Sequence, residues 1–214
     1  MSVGQPMVQE ISREQMASLP IRRYEGEICL VTTAADAERA RADLAQERVV
    51  GFDTETRPAF RKGESYLPCL VQAATANAVY LFQLRYEETR HAIAELLGEA
   101  RTIKAGVALA EDLRQLRHVL PFVEQNVVDL GVAARRFGLK QTGVRNLAGM
   151  LLGVRITKGT KTSNWAAPKL TPEQILYAAT DAWACRELCL RLETLGAFPN
   201  RVAPPGMGSP ANQL

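Results

Sequence analysis

The sequence predicts an α/β domain, a central mixed sheet of five or six strands flanked by helices. Six short apolar runs, "ICLVTT", "RVVGFD", "CLVQAAT", "AVYLFQL", "TIKAGV" and "NVVDL", have strand character and lie between turn residues or helical patterns. Between and after them come segments with helical periodicity. The 214 residues, 47% hydrophobic and 23% charged, are enough to bury one core without disulfides or a metal staple.

In chain order, residues 1–25 read as a loosely structured N-terminal extension, 26–197 as the domain and 198–214 as a disordered tail rich in Pro and Gly. "ICLVTT" is a strand, "AADAERARADLAQE" a helix and "RVVGFD" the second strand. "CLVQAAT" and "AVYLFQL" follow as strands joined by a short turn around Ala76 and Asn77. The helix "YEETRHAIAELLG", the strand "TIKAGV", the helix "LAEDLRQLRHVL" and the short strand "NVVDL" come next, then helices across residues 130–170. The last long helix starts at "TPEQ": Thr171 is an N-cap, Pro172 fits the first helical position and Gln174 completes a capping box. Three consecutive strands followed by alternating helices and strands place an antiparallel hairpin on one side of the sheet.

Several classes are set aside. No apolar run is long enough to cross a bilayer, and the start has no basic segment leading into an apolar one, so a cytoplasmic protein without membrane contact is expected. Cys29, Cys69, Cys185 and Cys189 form no C-x-x-C pair and read as reduced core thiols; His91 and His118 read as surface residues. "GVRITKGTKT" is not a P-loop, because Lys158 precedes Gly159 where G-K-[ST] is required.

Charge is unevenly distributed. Between Asp129 and Glu173 there is no acid, while Arg135, Arg136, Lys140, Arg145, Arg155, Lys158, Lys161 and Lys169 fall there; with a net charge of +3, the rest sums to about minus five. Such asymmetry suits a face that meets a polyanion, the alternative being an ordinary solvated surface.

The acids carry the chemistry. Strand alternation puts Asp53 and Glu55 of "VVGFDTE" on one face with Thr54 opposite. In "LAEDLRQLRHVL" the helical stripe of Leu109, Leu113, Leu116 and Leu120 includes Asp112, whereas Glu111 faces water. In the last helix Tyr177 and Asp181 share a face, one turn apart, among Ala178, Ala179 and Ala182, small enough to let this helix approach the strand of Asp53. A solvated strand end and a buried Tyr–Asp pair are the ordinary readings of these features singly. Together they describe a cluster, and two carboxylates about 4 Å apart repel by roughly 4 kcal/mol at an effective dielectric near 20. Divalent cations compensate that repulsion, and an all-oxygen donor set favours Mg²⁺ or Mn²⁺ over zinc.

"FDTE", "KAGVALAEDLRQL" and "YAATDA", in this order, resemble the three motifs of the DEDD 3′-5′ exonucleases. The intervening "NLAGMLLGVRITKGTKTSNWAAPKLTPEQILYAATDA" is similar to the ribonuclease D and Werner-syndrome branch, and the likeness runs from about residue 26 to 197. The resemblance implies a ribonuclease H-like fold and a two-metal hydrolase that releases nucleoside 5′-monophosphates from the 3′ end of DNA or RNA. It implies Asp53, Glu55, Asp112 and Asp181 as metal-binding acids, Asp53 bridging both ions and Asp112 acting through water. Tyr177 would mark the tyrosine subtype (DEDDy), orienting the attacking water; the histidine subtype would need His where Leu176 stands. Thr54, Lys158, Lys161, Asn164 and Trp165 are the expected substrate-binding residues, the cations meeting phosphates and the indole stacking or packing. The C-terminal helical domains of ribonuclease D have no counterpart here, so a stand-alone, Werner-type domain is expected. The rival readings are a non-catalytic nucleic-acid-binding adaptor and an endonuclease.

Overall fold

Six strands join in one sheet in the computed structural model, which describes residues 9–59, 61, 63–158 and 163–198. They are β1 (Glu27–Val31), β2 (Val49–Thr56), β3 (Pro68–Ala74), β4 (Ala78–Gln83), β5 (Ile103–Gly106) and β6 (Val127–Asp129), in the order β1-β4-β3-β2-β5-β6. β2, β3 and β4 form an antiparallel meander; β1 runs parallel to β4, β5 parallel to β2, and β6 parallel to β5. The antiparallel part thus lies in the middle of the sheet rather than on one side. The connection through α2 (Ala34–Leu44) carries β1 past the meander, to the free edge of β4 instead of the side of β2.

Two layers of helices cover the sheet, and β2 shows how its residues are divided between them. Val50 and Phe52 are buried in a cluster with residues of α2, α3 (Glu87–Gly98) and α4 (Leu109–Leu116). Gly51 turns the other way, against α7 (Pro172–Thr194). α5 (Leu130–Arg136) and α6 (Val144–Leu147), with the π-helical turn Ala148–Leu152 that continues α6, pack on the α7 side. α7 begins as expected: Thr171 accepts the Gln174 amide N–H at 3.2 Å, and the Gln174 side chain accepts the Thr171 N–H at 2.9 Å.

Gly51 sets the distance between α7 and the sheet. A Cβ there would stand 2.0 Å from the Ala182 carbonyl oxygen and 2.7 Å from the Arg186 amide nitrogen, both main-chain atoms that cannot swing away. Ala178, Ala179 and Ala182 are all fully buried at this crossing. Small residues on helix and strand together bring the α7 backbone onto β2.

Sequence and structure part at other places. The N-terminal segment contains a helix, α1 (Arg13–Ser18), held by a Ser12–Gln15 capping box. None of its residues is buried, so the Ser-x-x-Gln pattern was its only signal. Met16 and Ile11 border Gly149, and Ile21 bridges to Arg155, tying the segment to the domain. α4 ends at Leu116, although Leu120 is still buried beyond it. Cys185 and Cys189 are buried as expected, whereas Cys29 and Cys69 are only half-buried. His91 and His118 are exposed, as expected. Lys104 is fully buried on β5, its ammonium donating to the carbonyls of Glu99 and Thr102, and burial lowers its pKa to about 8. No helix among the described residues is long and apolar enough to cross a membrane. The expected tail lies outside the described residues except for Phe198.

Gly51→Ala should therefore destabilise the protein at or beyond the upper end of the ~1–3 kcal/mol typical of overpacked cores. Gly98→Ala, where an added Cβ meets only the Val123 carbonyl at 3.8 Å, should be neutral or slightly stabilising. Urea unfolding of the two variants checks both; equal midpoints would contradict the close crossing.

Candidate active site

The odd-numbered residues of β2 face α7, so Asp53 and Glu55 point toward the helix that carries Tyr177 and Asp181. Asp53, Glu55 and Asp181 each offer a carboxylate oxygen, and these oxygens lie within 4.8 Å of one another. Asp181 is buried; Asp53 and Glu55 keep part of their surface open to solvent. No Lys, Arg or His among the described residues forms an ion pair with any of the three. Three close carboxylates without an ion-pair partner among the described residues form a hard, all-oxygen donor set, which fits a divalent metal ion.

Proton affinity records the crowding. Burial, followed by the charges of Asp181, Glu55 and Asp112, pushes the Asp53 pKa well above the ordinary carboxylate range. Burial and the charges of Asp181 and Asp112 raise Glu55 to about 8. Burial raises Asp181 too, but only to about 6, because the Tyr177 hydroxyl hydrogen-bonds to it and the positive charge of Arg145 reaches it. Burial, then the Asp181 charge and that same hydrogen bond, raises the Tyr177 phenol above its usual value, so it remains protonated at neutral pH.

Asp112 arrives by another route. Thr54, being an even-numbered residue of β2, faces α4, and its hydroxyl donates to Asp112 Oδ1 at 3.0 Å. α4 starts without a side-chain cap of its own, from Ala108 in the left-handed region (φ 60°). Asp129, at the end of β6, accepts the Leu109 N–H at 3.1 Å and, through its other oxygen, the Val132 N–H of α5 at 3.1 Å. One carboxylate thereby fixes the starts of both helices. Asp112 reaches the site from the opposite face of the sheet and is not among the three mutually close acids, although its charge bears on Asp53 and Glu55. Thr54, counted from sequence with the substrate-binding residues, is engaged in holding Asp112.

The expected substrate loop divides. Lys158 and Asn164 are exposed and, with Trp165 and Tyr177, line a groove of about 810 Å³ that Arg23 and Lys169 also border. Trp165 is only 7% exposed, packed with Leu70, Leu81 and Leu170, its ring centroid 6.1 Å from that of Tyr177. The indole thus packs behind Tyr177 while also bordering the groove. Lys161 lies outside the described residues. Sequence reasoning missed three contributors: Gly51, whose small size sits inside "VVGFDTE"; Arg145, counted in the acid-free block but given no role; and Arg23, in the segment read as an extension.

Comparison with known proteins agrees with this geometry. The family model described as 3′-5′ exonuclease matches residues 28–196. Ribonuclease D from Gluconacetobacter diazotrophicus is 31% identical over 71% of this chain and 39% of its own length. The mouse bifunctional 3′-5′ exonuclease/ATP-dependent helicase WRN is 29% identical over 84% of this chain and 14% of its own length. The chain therefore spans well under half of either curated relative. Trypanosoma brucei ribonuclease D, solved in complex with the RNA U12, superposes with a TM-score of 0.67 at 19% identity over 84% of this chain and 64% of that one. That likeness carries the fold, a six-stranded mixed sheet between helices of the ribonuclease H-like kind. With a match that runs from β1 to the end of α7 and includes the strand and both helices bearing the acids, this chain belongs to the 3′-5′ exonuclease domain family.

Proposed function

We propose that this protein is a metal-dependent 3′-5′ exonuclease of the tyrosine (DEDDy) subtype, hydrolysing the terminal phosphodiester of DNA or RNA to release nucleoside 5′-monophosphates. The observation that supports this reading most strongly is the set of three carboxylates within 4.8 Å of one another beside a hydrogen-bonded phenol. Asp53, Glu55 and Asp181 would hold Mg²⁺ or Mn²⁺, with Asp112 contributing from the far face. Two such ions, when bound, supply a nucleophile at neutral pH and neutralise charge on the phosphate and leaving oxygens. Tyr177 donates its proton to Asp181, which leaves its oxygen free to accept from a water and orient it. Lys158, Lys161, Lys169, Arg23 and Arg145 would meet backbone phosphates, and Asn164 would add a polar contact in the groove it shares with Lys158, Lys169 and Arg23. The reading extends to a cytoplasmic setting, which suits four thiols without disulfides. That a relative in this fold has been solved with RNA supports a nucleic-acid substrate without choosing the sugar.

Glu55 and Asp181 take up protons in the folded state at higher pH, about 8 and about 6, than the ~4 of free carboxylates. Without metal, their contribution to stability is greatest below the unfolded pKa and is lost as pH rises through the folded values. Metal binding needs the carboxylates ionised, so it strengthens over the same range.

Asp53→Asn and Asp181→Asn should each lower mononucleotide release from a 3′-labelled strand with Mn²⁺ by about 100- to 1,000-fold or more, with circular dichroism unchanged. Full activity in either variant would contradict the assignment. The assay on matched DNA and RNA, linear and circular, also separates the rivals: an adaptor binds without cutting, and an endonuclease opens the circle.

In EDTA, the melting temperature of the wild type relative to that of Glu55→Gln should fall between pH 6 and pH 8. Mn²⁺ at about 100 times its dissociation constant should add roughly 2.7 kcal/mol to the wild type. A wild type that gains on the variant as pH rises in EDTA, or that ignores Mn²⁺, would contradict the clustered acids.

A further inference from the structure

Gln72, on β3, stands opposite Asp53 in the antiparallel ladder. Its neighbours Leu70 and Ala74 pack with Ala178, Ala179 and Ala182 of α7, while Val71 and Ala73 belong to the other layer, so the Gln72 side chain shares the α7 face with Asp53. It is fully buried, and neither its amide nitrogen nor its amide oxygen has a hydrogen-bond partner among the described residues. The remaining orphan there, Arg155 Nε, belongs to the residue that bridges Ile21, away from the acids. Enclosing a primary amide with nothing to bond is costly, and an apolar side chain of the same length would avoid that cost.

Asp53 has the complementary need. Its carboxylate takes the Thr54 backbone N–H, and no side chain among the described residues donates to it. A carboxylate has about four lone-pair sites, and one that also ligates a metal depends on hydrogen bonds to its remaining oxygen for its orientation. Facing residues in an antiparallel pair have Cβ atoms about 4.5–5.5 Å apart, within reach of a glutamine amide.

We propose that Gln72 is a positioning residue for the acid site: once a divalent ion is bound, its Nε2–H donates to the Asp53 carboxylate and selects the oxygen that Asp53 turns toward that ion. This rests on the metal-dependent function proposed above.

The test uses Gln72→Met, which keeps the length and removes the amide, and Gln72→Leu in case the first does not fold. Thermal melts across a Mn²⁺ titration read metal binding without turnover. The Mn²⁺ concentration for half-maximal stabilisation should rise by about 10- to 100-fold, while the melting temperature in EDTA is not lowered. At limiting Mn²⁺, kcat should fall with KM for the nucleic acid unchanged, and Gln72→Asn, which retains an amide, should recover part of both losses. An apolar variant with the Mn²⁺ midpoint of the wild type, or an Asn variant as impaired as the Met variant, would overturn the proposal. A wild type insensitive to Mn²⁺ would instead refute the metal-dependent reading itself.

Discussion

Like charges held together against their repulsion are the constraint on which this structure turns. Asp53, Glu55 and Asp181 come from a strand and a helix distant in sequence and meet because the α7 backbone lies almost in contact with β2. A side chain at Gly51 would push the helix off, and larger residues at Ala178, Ala179 or Ala182 would do the same from the other side. The close crossing is a packing device with an electrostatic result. It drives proton affinity upward at all three acids, which is the state a cation relieves.

The fourth acid shows how the two faces of one strand serve one site. Because side chains alternate along β2, Thr54 cannot join Asp53 and Glu55, yet it reaches across to Asp112 on the opposite layer. α4 has no cap of its own and depends on Asp129, which starts α5 as well. The position of Asp112 therefore depends on β6, the shortest strand, at the edge of the sheet. Left-handed Ala108 at this junction is the kind of local strain that persists when surrounding contacts over-determine it.

Much of this was legible beforehand, for identifiable reasons. The six strands, α7 with its capping box, and the pairings Asp53 with Glu55 and Tyr177 with Asp181 follow from periods of 2 and 3.6, which are local properties. What local pattern could not supply was the layer from which each element approaches. Asp112 was expected beside the other acids because its helical stripe was visible, but a stripe does not say which face of the sheet it covers. The edge placement of β1 depends likewise on pairing between strands distant in sequence. α1 was overlooked because a short helix with no buried residue leaves only its cap as a signal. Trp165 was ambiguous because stacking and packing demand the same residue, and its burial against Leu70 and Leu81 became visible only in the fold.

Asp53, Glu55 and Asp181, carried by β2 and α7, make up the proposed cation-binding centre. A crystal of the protein soaked in manganese and measured at the metal's absorption edge shows whether they do. Anomalous density is expected between Asp53, Glu55 and Asp181, with Asp112 approaching from the Thr54 side. Density elsewhere, or none with those three side chains apart, would contradict it.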